Sequence, residues 1–584
     1  MSDKVAELTS LLAQDSSAQW VSSMWDRLNK QRREKIEEWK ELRNYIFATD
    51  TTSTTNNSLP WKNSTTIPKL CQIRDNLHSN YLSALFPNDD WLKWQGYSKE
   101  DSIKEKAKNI QAYISNKCRE SHFRTEISKV LYDYIDYGNS FATVSFESIY
   151  KELPDGKKYP TYIGPRLHRI SPLDIVFNPL ADSFTNSYKI VRSVKTLGEL
   201  KKLSITEPEQ SYWAEAVSKR ESIVRHQGGY SIEDFDKAAG YSVDGFGNLY
   251  DYYQSDYVEI LEFFGDYHDS VTGELKTNKI ITVVDRTTTV REVDIPSWLG
   301  HAPIYHVGWR FRQDNLWAMG PLDNIVGIQY RIDHLENLKA DAMDLIVHPP
   351  LKIKGEVEEF TWGPGAEIHL DEGGDISEVS KNLNGLIAAS NDIQYYESLM
   401  EVMAGSPREA MGFRTPGEKT ALEVQQLATA ASRIFQEKIT NFEIELLEQV
   451  LNAMLEISSR NMDTLDVIRV MDDDIGVEVF QSITKDDITA NGKLRPIGAR
   501  HFTKQAQDLQ NLIGVFNSPL NSMLAPHTSG KNLVKFVEDI TGLSGYNIFR
   551  ENVAIIEQQQ TQALMQQAQE DLSVEAAVPA EGAL

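Results

Sequence analysis

Apolar residues return every three or four positions over the longest periodic stretch of the chain: Val424, Leu427, Ala428, Ala431, Ile434, Phe435, Ile439, Phe442, Leu446, Val450, Leu451 and Met454. That spacing covers one face of a cylinder at the 3.6-residue period and predicts a helix. Thr415, Pro416 and Glu418 mark its start as an N-cap, a proline in the first turn and an acid three residues after the cap. From Thr415 to Arg460 is about 45 residues, roughly 65–70 Å of helix at about 1.5 Å per residue. The pattern drifts from a strict heptad, which argues against a coiled coil. Immediately before it, Ala404 to Thr420 carries Gly405, Pro407, Gly412, Pro416 and Gly417, so no regular element crosses that stretch.

Elsewhere the same patterning predicts a mixed α/β chain in which helix predominates. One long helix is expected from Ser17 to Ile46, with the charged group Arg32, Arg33, Glu34, Lys35, Glu37 and Glu38 as its solvated face. A polar linker, Thr51 to Thr66, leads to helices at Ile67–Phe86 and Ser102–Tyr137, the latter stopped at Tyr137-Gly138-Asn139-Ser140. The period then shortens towards two. Strands are expected at Phe141–Phe146, Tyr162–Ile170, Ile175–Asn178, Lys189–Val194, Tyr257–Tyr267, Lys279–Val284 and Thr287–Val293, with a turn at Val271-Thr-Gly-Glu274. A helix near Glu207–His226 and an aromatic insertion, Gly228–Tyr253, interrupt this β-rich region. Helical spacing resumes over Leu322–Val347 until Pro349-Pro350, two short strands follow at Leu351–Lys354 and Ala366–Leu370, and a helix spans Leu386–Met403. Past Met462 come a strand-like region, Leu465–Ser482, a tight turn at Asn491-Gly492, helices at Thr503–Phe516 and Asn532–Thr541, and a glutamine-rich run from Gln558 to Glu570.

With 584 residues, of which 41% are hydrophobic, the chain exceeds what one core serves, so at least two subdomains are expected. Its formal charge of −25 repels phosphates and argues against tight nonspecific nucleic-acid binding. The two cysteines, Cys71 and Cys118, make no disulfide framework and point to a reducing compartment. The start, Met1-Ser-Asp-Lys, has no signal-peptide pattern, and no run of apolar residues is long enough to cross a membrane.

Candidate chemistry is sparse. Gly417-Glu-Lys-Thr lacks the upstream glycine of a phosphate-binding loop, and Ser529-Gly-Lys-Asn lacks its closing hydroxyl. Asp472, Asp473 and Asp474 with Glu478 could suggest a metal site, but neighbouring aspartates on a strand alternate faces and do not converge. None of the twelve histidines has metalloprotease or zinc-finger spacing. No cofactor, metal or catalytic residue is therefore expected, and the chain does not read as an enzyme.

A stretch of helix, a Gly/Pro-bearing loop, the run Arg414-Thr-Pro-Gly-Glu-Lys-Thr-Ala-Leu-Glu-Val424 and then a long helix resembles the tunnel loop and wing helix of the portal (head-tail connector) proteins of tailed bacteriophages, most of all short-tailed ones. The order helix, short insertion, helix, loop, long helix resembles the same family. The resemblance implies an N-terminal wing region at 1–315, stem helices at 316–348 and 386–404 flanking a clip at 349–385, and a tunnel loop at 405–418. It further implies a long wing helix and strand at 419–480, a crown at 481–557 and a tail at 558–584. The implied function is a homo-oligomeric, dodecameric ring at one capsid vertex of the virion, assembled in the host cytoplasm, through which double-stranded DNA is packaged and ejected. Its implied partners are the large terminase, the major capsid and scaffolding proteins and the tail adaptors, with no membrane. Arg408, Glu409, Arg414 and Lys419 are the implied DNA-channel residues, and the clip carries three lysines against eight carboxylates, a net −5 that suits a sliding duplex. The alternatives are a metal-dependent nuclease or other packaging enzyme, which the absent converging carboxylates disfavour, and a capsid or scaffold protein, which the long helix and mid-chain loop disfavour.

Overall fold

The computed structural model describes residues 15–47, 63, 65–86, 91–96, 101–152, 158–206, 213–226, 256–268, 273–347, 351–355, 375–378, 384–404, 436–462, 465–471, 478–489 and 492–496. Two compact units emerge: residues 1–84 with 117–462, and residues 85–116 with 463–584. The fold is mixed α/β, helix outweighing strand.

The N-terminal helical pattern resolves into α1 (Ser16–Gln31) and α2 (Arg33–Phe47), broken at Arg32. No glycine or proline marks the break. Arg32, expected on a solvated face, is buried. Its guanidinium donates to the carbonyls of Pro172 and Ile175 at 2.6 and 2.7 Å, and it lies over Trp25 and Trp317. A charge whose donors are filled by backbone oxygens and whose faces meet indoles is satisfied without water. Arg33 and Glu37, by contrast, form an exposed i,i+4 pair as expected.

Next come α3 (Lys69–Leu85), β1 (Leu92–Gly96), α4 (Asp101–Glu120) and α5 (Phe123–Asp136). The single helix expected over Ser102–Tyr137 is interrupted at His122, whose φ of 56° is left-handed. β2 (Asn139–Glu152) and β3 (Lys158–Ile170) form a long antiparallel pair, and β4 (Ile175–Phe177) and β5 (Lys189–Thr196) follow. An unexpected helix, α6 (Leu197–Thr206), precedes the one expected near Glu207–His226, which is present as α7 (Trp213–His226), residues 207–212 lying outside the described residues. α6 starts where Thr196 N–H donates to Glu199 and Glu199 N–H donates to the Thr196 hydroxyl, a reciprocal capping box.

β6 (Tyr257–His268), β7 (Leu275–Val284) and β8 (Thr288–Asp294) complete an antiparallel meander, β4-β5-β6-β7-β8, as the strand patterning predicted, while Val271 and Thr272 of the expected turn lie outside the described residues. Its central strands carry continuous buried runs, Val258–Leu261 of β6 and Ile280–Val284 of β7, because helices cover both faces there. On one, Ala18, Val21, Trp25 and Leu28 of α1 pack on Ile190, Leu261, Phe263, Ile281 and Val283. On the other, Leu200, Trp213 and Val217 of α6 and α7 meet Val258, Ile260, Val284 and Val290. Consecutive residues such as Leu261 and Ile260 thus enter opposite cores.

The β7–β8 turn is made by Asp285 and Arg286 at φ 50° and 58°, with Thr287 N–H donating to the Val284 carbonyl. Both central residues of such a turn are left-handed, a conformation that usually takes glycine or asparagine. Ion pairs hold it here. Arg286 pairs bidentately with Glu259 at 2.7 and 3.1 Å and reaches Asp26 of α1 at 2.8 Å, while Arg220 of α7 approaches Asp285 at 3.4 Å.

β9 (Ile304–Gly308) joins β2 on the side away from β3, and β10 (Arg310–Arg312) pairs with β11 (Asn315–Met319). Around His306 stand Phe141, Phe177, Phe184 and Phe311, and its Nε2 meets Asn139 Oδ1 at 3.1 Å. Burial holds the imidazole neutral, its pKa lowered to about 3. An unfolded histidine titrates near 6.5, so the unfolded chain binds the extra proton between those values and stability is lost as pH falls through that window. His306→Gln is expected to flatten the acid limb of a stability-versus-pH curve between about 6.5 and 3; an unchanged slope in denaturant titrations would contradict this.

The rest of the larger unit is α8 (Val326–Val347), the paired β12 (Leu351–Lys354) and β13 (Asp375–Glu378), α9 (Asn384–Met403) and α10, residues 436–461, which contains a π turn at Glu443–Leu447. β12 thus finds its partner at Asp375–Glu378; the strand expected at Ala366–Leu370 lies outside the described residues. In the smaller unit the strand-like region expected at Leu465–Ser482 divides into two antiparallel strands, β14 (Leu465–Met471) and β15 (Glu478–Thr484), α11 (Lys485–Ile488) opens on a Thr484–Asp487 capping box, and β16 (Gly492–Pro496) pairs with β1. The helices expected at Thr503–Phe516 and Asn532–Thr541 and the glutamine-rich run lie outside the described residues.

Candidate functional site

The stretch on which the sequence concentrates its signals is bounded by two fixed ends. The described chain stops at Ala404 and resumes at residue 436; Arg408, Glu409, Arg414 and Lys419 lie outside the described residues, as do Asp472, Asp473 and Asp474. Ala404 and Met400 are buried at the incoming end, and Ile439 and Phe442 are buried at the outgoing one. Phe442 packs edge-on against Tyr134 of α5, whose hydroxyl donates to the Lys438 carbonyl. The ends are therefore anchored by core packing.

The incoming end belongs to a helical hairpin. α8 and α9 pack on each other, and the antiparallel β12–β13 pair links the C-terminal end of one to the N-terminal end of the other. Their apolar residues divide unevenly. Ile332, Leu335, Ile393 and Met400 are buried, whereas Leu338, Met343, Val347, Ile387, Tyr395, Val402 and Met403 are exposed, Tyr395 and Val402 at 63% each. Two helices with apolar residues beyond their mutual seam present surface that a lone chain leaves in water.

The opposite side of α8 is polar and occupied. Gln329, Asp333, Asn337, Asp341 and Asp344 recur every three or four residues, and their side chains bind Asn63, Thr65, Ile67 and Leu70. Asn63 N–H donates to Asp341 at 3.0 Å, Thr65 N–H to Asn337 at 2.8 Å, Ile67 N–H to Asp333 at 3.0 Å and Leu70 N–H to Gln329 at 3.3 Å. Gln329 returns a donor to the Ile67 carbonyl at 2.6 Å, and the Asn63 amide reaches Asp344 at 2.9 Å. Lys69 then pairs with Glu401 of α9 at 2.7 Å, both buried. The helix spacing Gln329-Asp333-Asn337-Asp341 is visible in the sequence, but nothing there says that residues 63–70 fill it.

A cleft of about 460 Å³ lies between the α1–α2 junction and β10–β11, floored by Phe177 and Trp317. Two of the cations that line it are engaged, Arg32 by carbonyls and Lys35 by Asp323 and Glu38 at 3.1 and 3.0 Å. Among the described residues no group of histidine, cysteine, aspartate or glutamate could hold a metal ion, and no helix is long and apolar enough to cross a membrane. Cys71 and Cys118 are free thiols.

No protein-family model matches this chain, and neither does any curated protein.

Proposed function

We propose that this chain is a portal subunit: copies close into a ring at one capsid vertex, double-stranded DNA passes through the ring, and terminase and tail adaptors dock on it. The observation that carries the reading is the α8–α9 hairpin, with apolar side chains exposed on both helices and a short β pair at its tip, followed directly by the Gly/Pro-punctuated segment that holds Arg408, Glu409, Arg414 and Lys419. A closed ring needs heterologous contacts, one surface against a different one on the neighbour, and apolar residues on both sides of a hairpin supply them. In the ring a few guanidinium groups from Arg408 and Arg414 touch passing phosphates, while the acidic clip and the chain's overall charge of −25 keep the duplex from being held.

Tyr395→Glu combined with Val402→Asp tests the reading. Both side chains are exposed in the single chain, so the fold tolerates the charges, and the expected result is unchanged circular dichroism with the assembly reduced to single subunits in sedimentation. A double variant that assembles as the parent does would remove the hairpin from the interface.

A further inference from the structure

Residues 63–70 bind both helices of the hairpin, α8 through four backbone N–H groups and α9 through Lys69 and Glu401. Asp333 is the middle of this arrangement. Its Oδ1 accepts from Ile67 N–H at 3.0 Å and from Gln329 Nε2 at 2.9 Å, while Oδ2 is buried with no hydrogen-bond partner among the described residues. A carboxylate oxygen left so in a buried seam disfavours the negative charge, and a proton on it removes that penalty while Oδ1 goes on accepting. We propose that residues 63–70 are a clasp on the α8–α9 hairpin, and that proton uptake at Asp333 sets how firmly it holds.

The surroundings leave the proton few competitors. Residues 63–68 carry no ionisable side chain, Lys69 is committed to Glu401, and among the described residues no charged side chain pairs with Asp333. Burial is the leading influence and raises its pKa to about 6, against the opposing pull of the Ile67 and Gln329 hydrogen bonds. With the clasp released, Asp333 meets water and titrates near 3.9. The closed clasp therefore takes up the proton between those values, its extra hold is complete below about 4, and it is lost as pH rises through about 6. Because α9 leads into Ala404, clasp release loosens the root of the segment bearing Arg408 and Arg414; this last link rests on the portal reading, and the clasp itself does not.

Native-state hydrogen exchange on the full chain, read at the amides of Thr65, Ile67 and Leu70 and corrected for intrinsic rates, tests the clasp without reference to DNA. The expected protection falls by about tenfold or more between pH 5 and 7.5, from a pKa displaced by roughly two units. Asp333→Asn, which keeps an acceptor at Oδ1 and cannot ionise, is expected to hold protection constant across that range. Asn337→Ala, which removes a neutral rung, should lower protection at Thr65 and leave the pH dependence in place. Protection that is flat with pH in the parent chain, or that keeps its slope in Asp333→Asn, would overturn the proposal while leaving the portal reading untouched.

Discussion

Arg286→Ala is expected to destabilise the protein by about 3–5 kcal/mol, because it takes the bidentate partner from a buried carboxylate. Glu259 is completely buried on β6 and accepts two hydrogen bonds from the Arg286 guanidinium, itself 3% exposed. Removing one partner of such a pair leaves a charge that water cannot reach, which costs far more than the net worth of the pair. The turn geometry supplies a control. Arg286 sits at φ 58°, where an L-residue other than asparagine is strained by roughly 1–2 kcal/mol. Arg286→Gly relieves that strain and still abandons Glu259, so it should recover only a small part of the loss. The double variant Arg286→Met with Glu259→Leu replaces both partners by apolar groups and is expected to be closer to the parent than either Arg286 variant alone. Denaturant midpoints at constant slope would measure all three; a Glu259 that tolerates Arg286→Ala at under about 1 kcal/mol would show that the pair is not holding the turn.

Gly138→Ala should be nearly as damaging, for a reason of space. Gly138 ends α5 at φ 67°, and a Cβ there would stand 2.3 Å from Gly320 N and 2.4 Å from Met319 C. Those atoms are backbone, which cannot swing aside like a side-chain tip. Left-handed strain and overpacking together set an expected loss of about 3 kcal/mol or more. Gly327→Ala in α8, where nothing lies within 4 Å, should instead stabilise by about 0.4–1 kcal/mol. Thermal unfolding of the two variants side by side separates a steric requirement from a general intolerance of alanine.

These two sites also show what the sequence could and could not disclose. Tyr137-Gly138-Asn139-Ser140 reads as the end of a helix, and Gly320 stands out beside Pro321, but nothing local says that their backbones touch. The strands of the meander were legible because β-branched and aromatic residues cluster between turn signals, even though α6 and α7 intervene between β5 and β6. The break at Arg32 was not, since the helical period continues through it and the partners that hold its guanidinium are carbonyls some 140 residues away. Pairing of β1 with β16 was equally hidden: Trp94 opposes Leu494 across most of the chain. For the candidate site, the exposed face of the hairpin and the polar stripe of α8 follow from helical spacing. Residues 63–70 in that stripe, and Lys69 against Glu401, follow only from the fold. The charged residues Arg408, Glu409, Arg414 and Lys419 lie outside the described residues.

The most direct test of the portal reading is to image the purified full-length chain by negative-stain electron microscopy at several concentrations. Closed rings with a central opening wide enough for a duplex are the expected result, converted to single subunits by Tyr395→Glu with Val402→Asp. A compact monomer at every concentration, or a shell with no central opening, would contradict it.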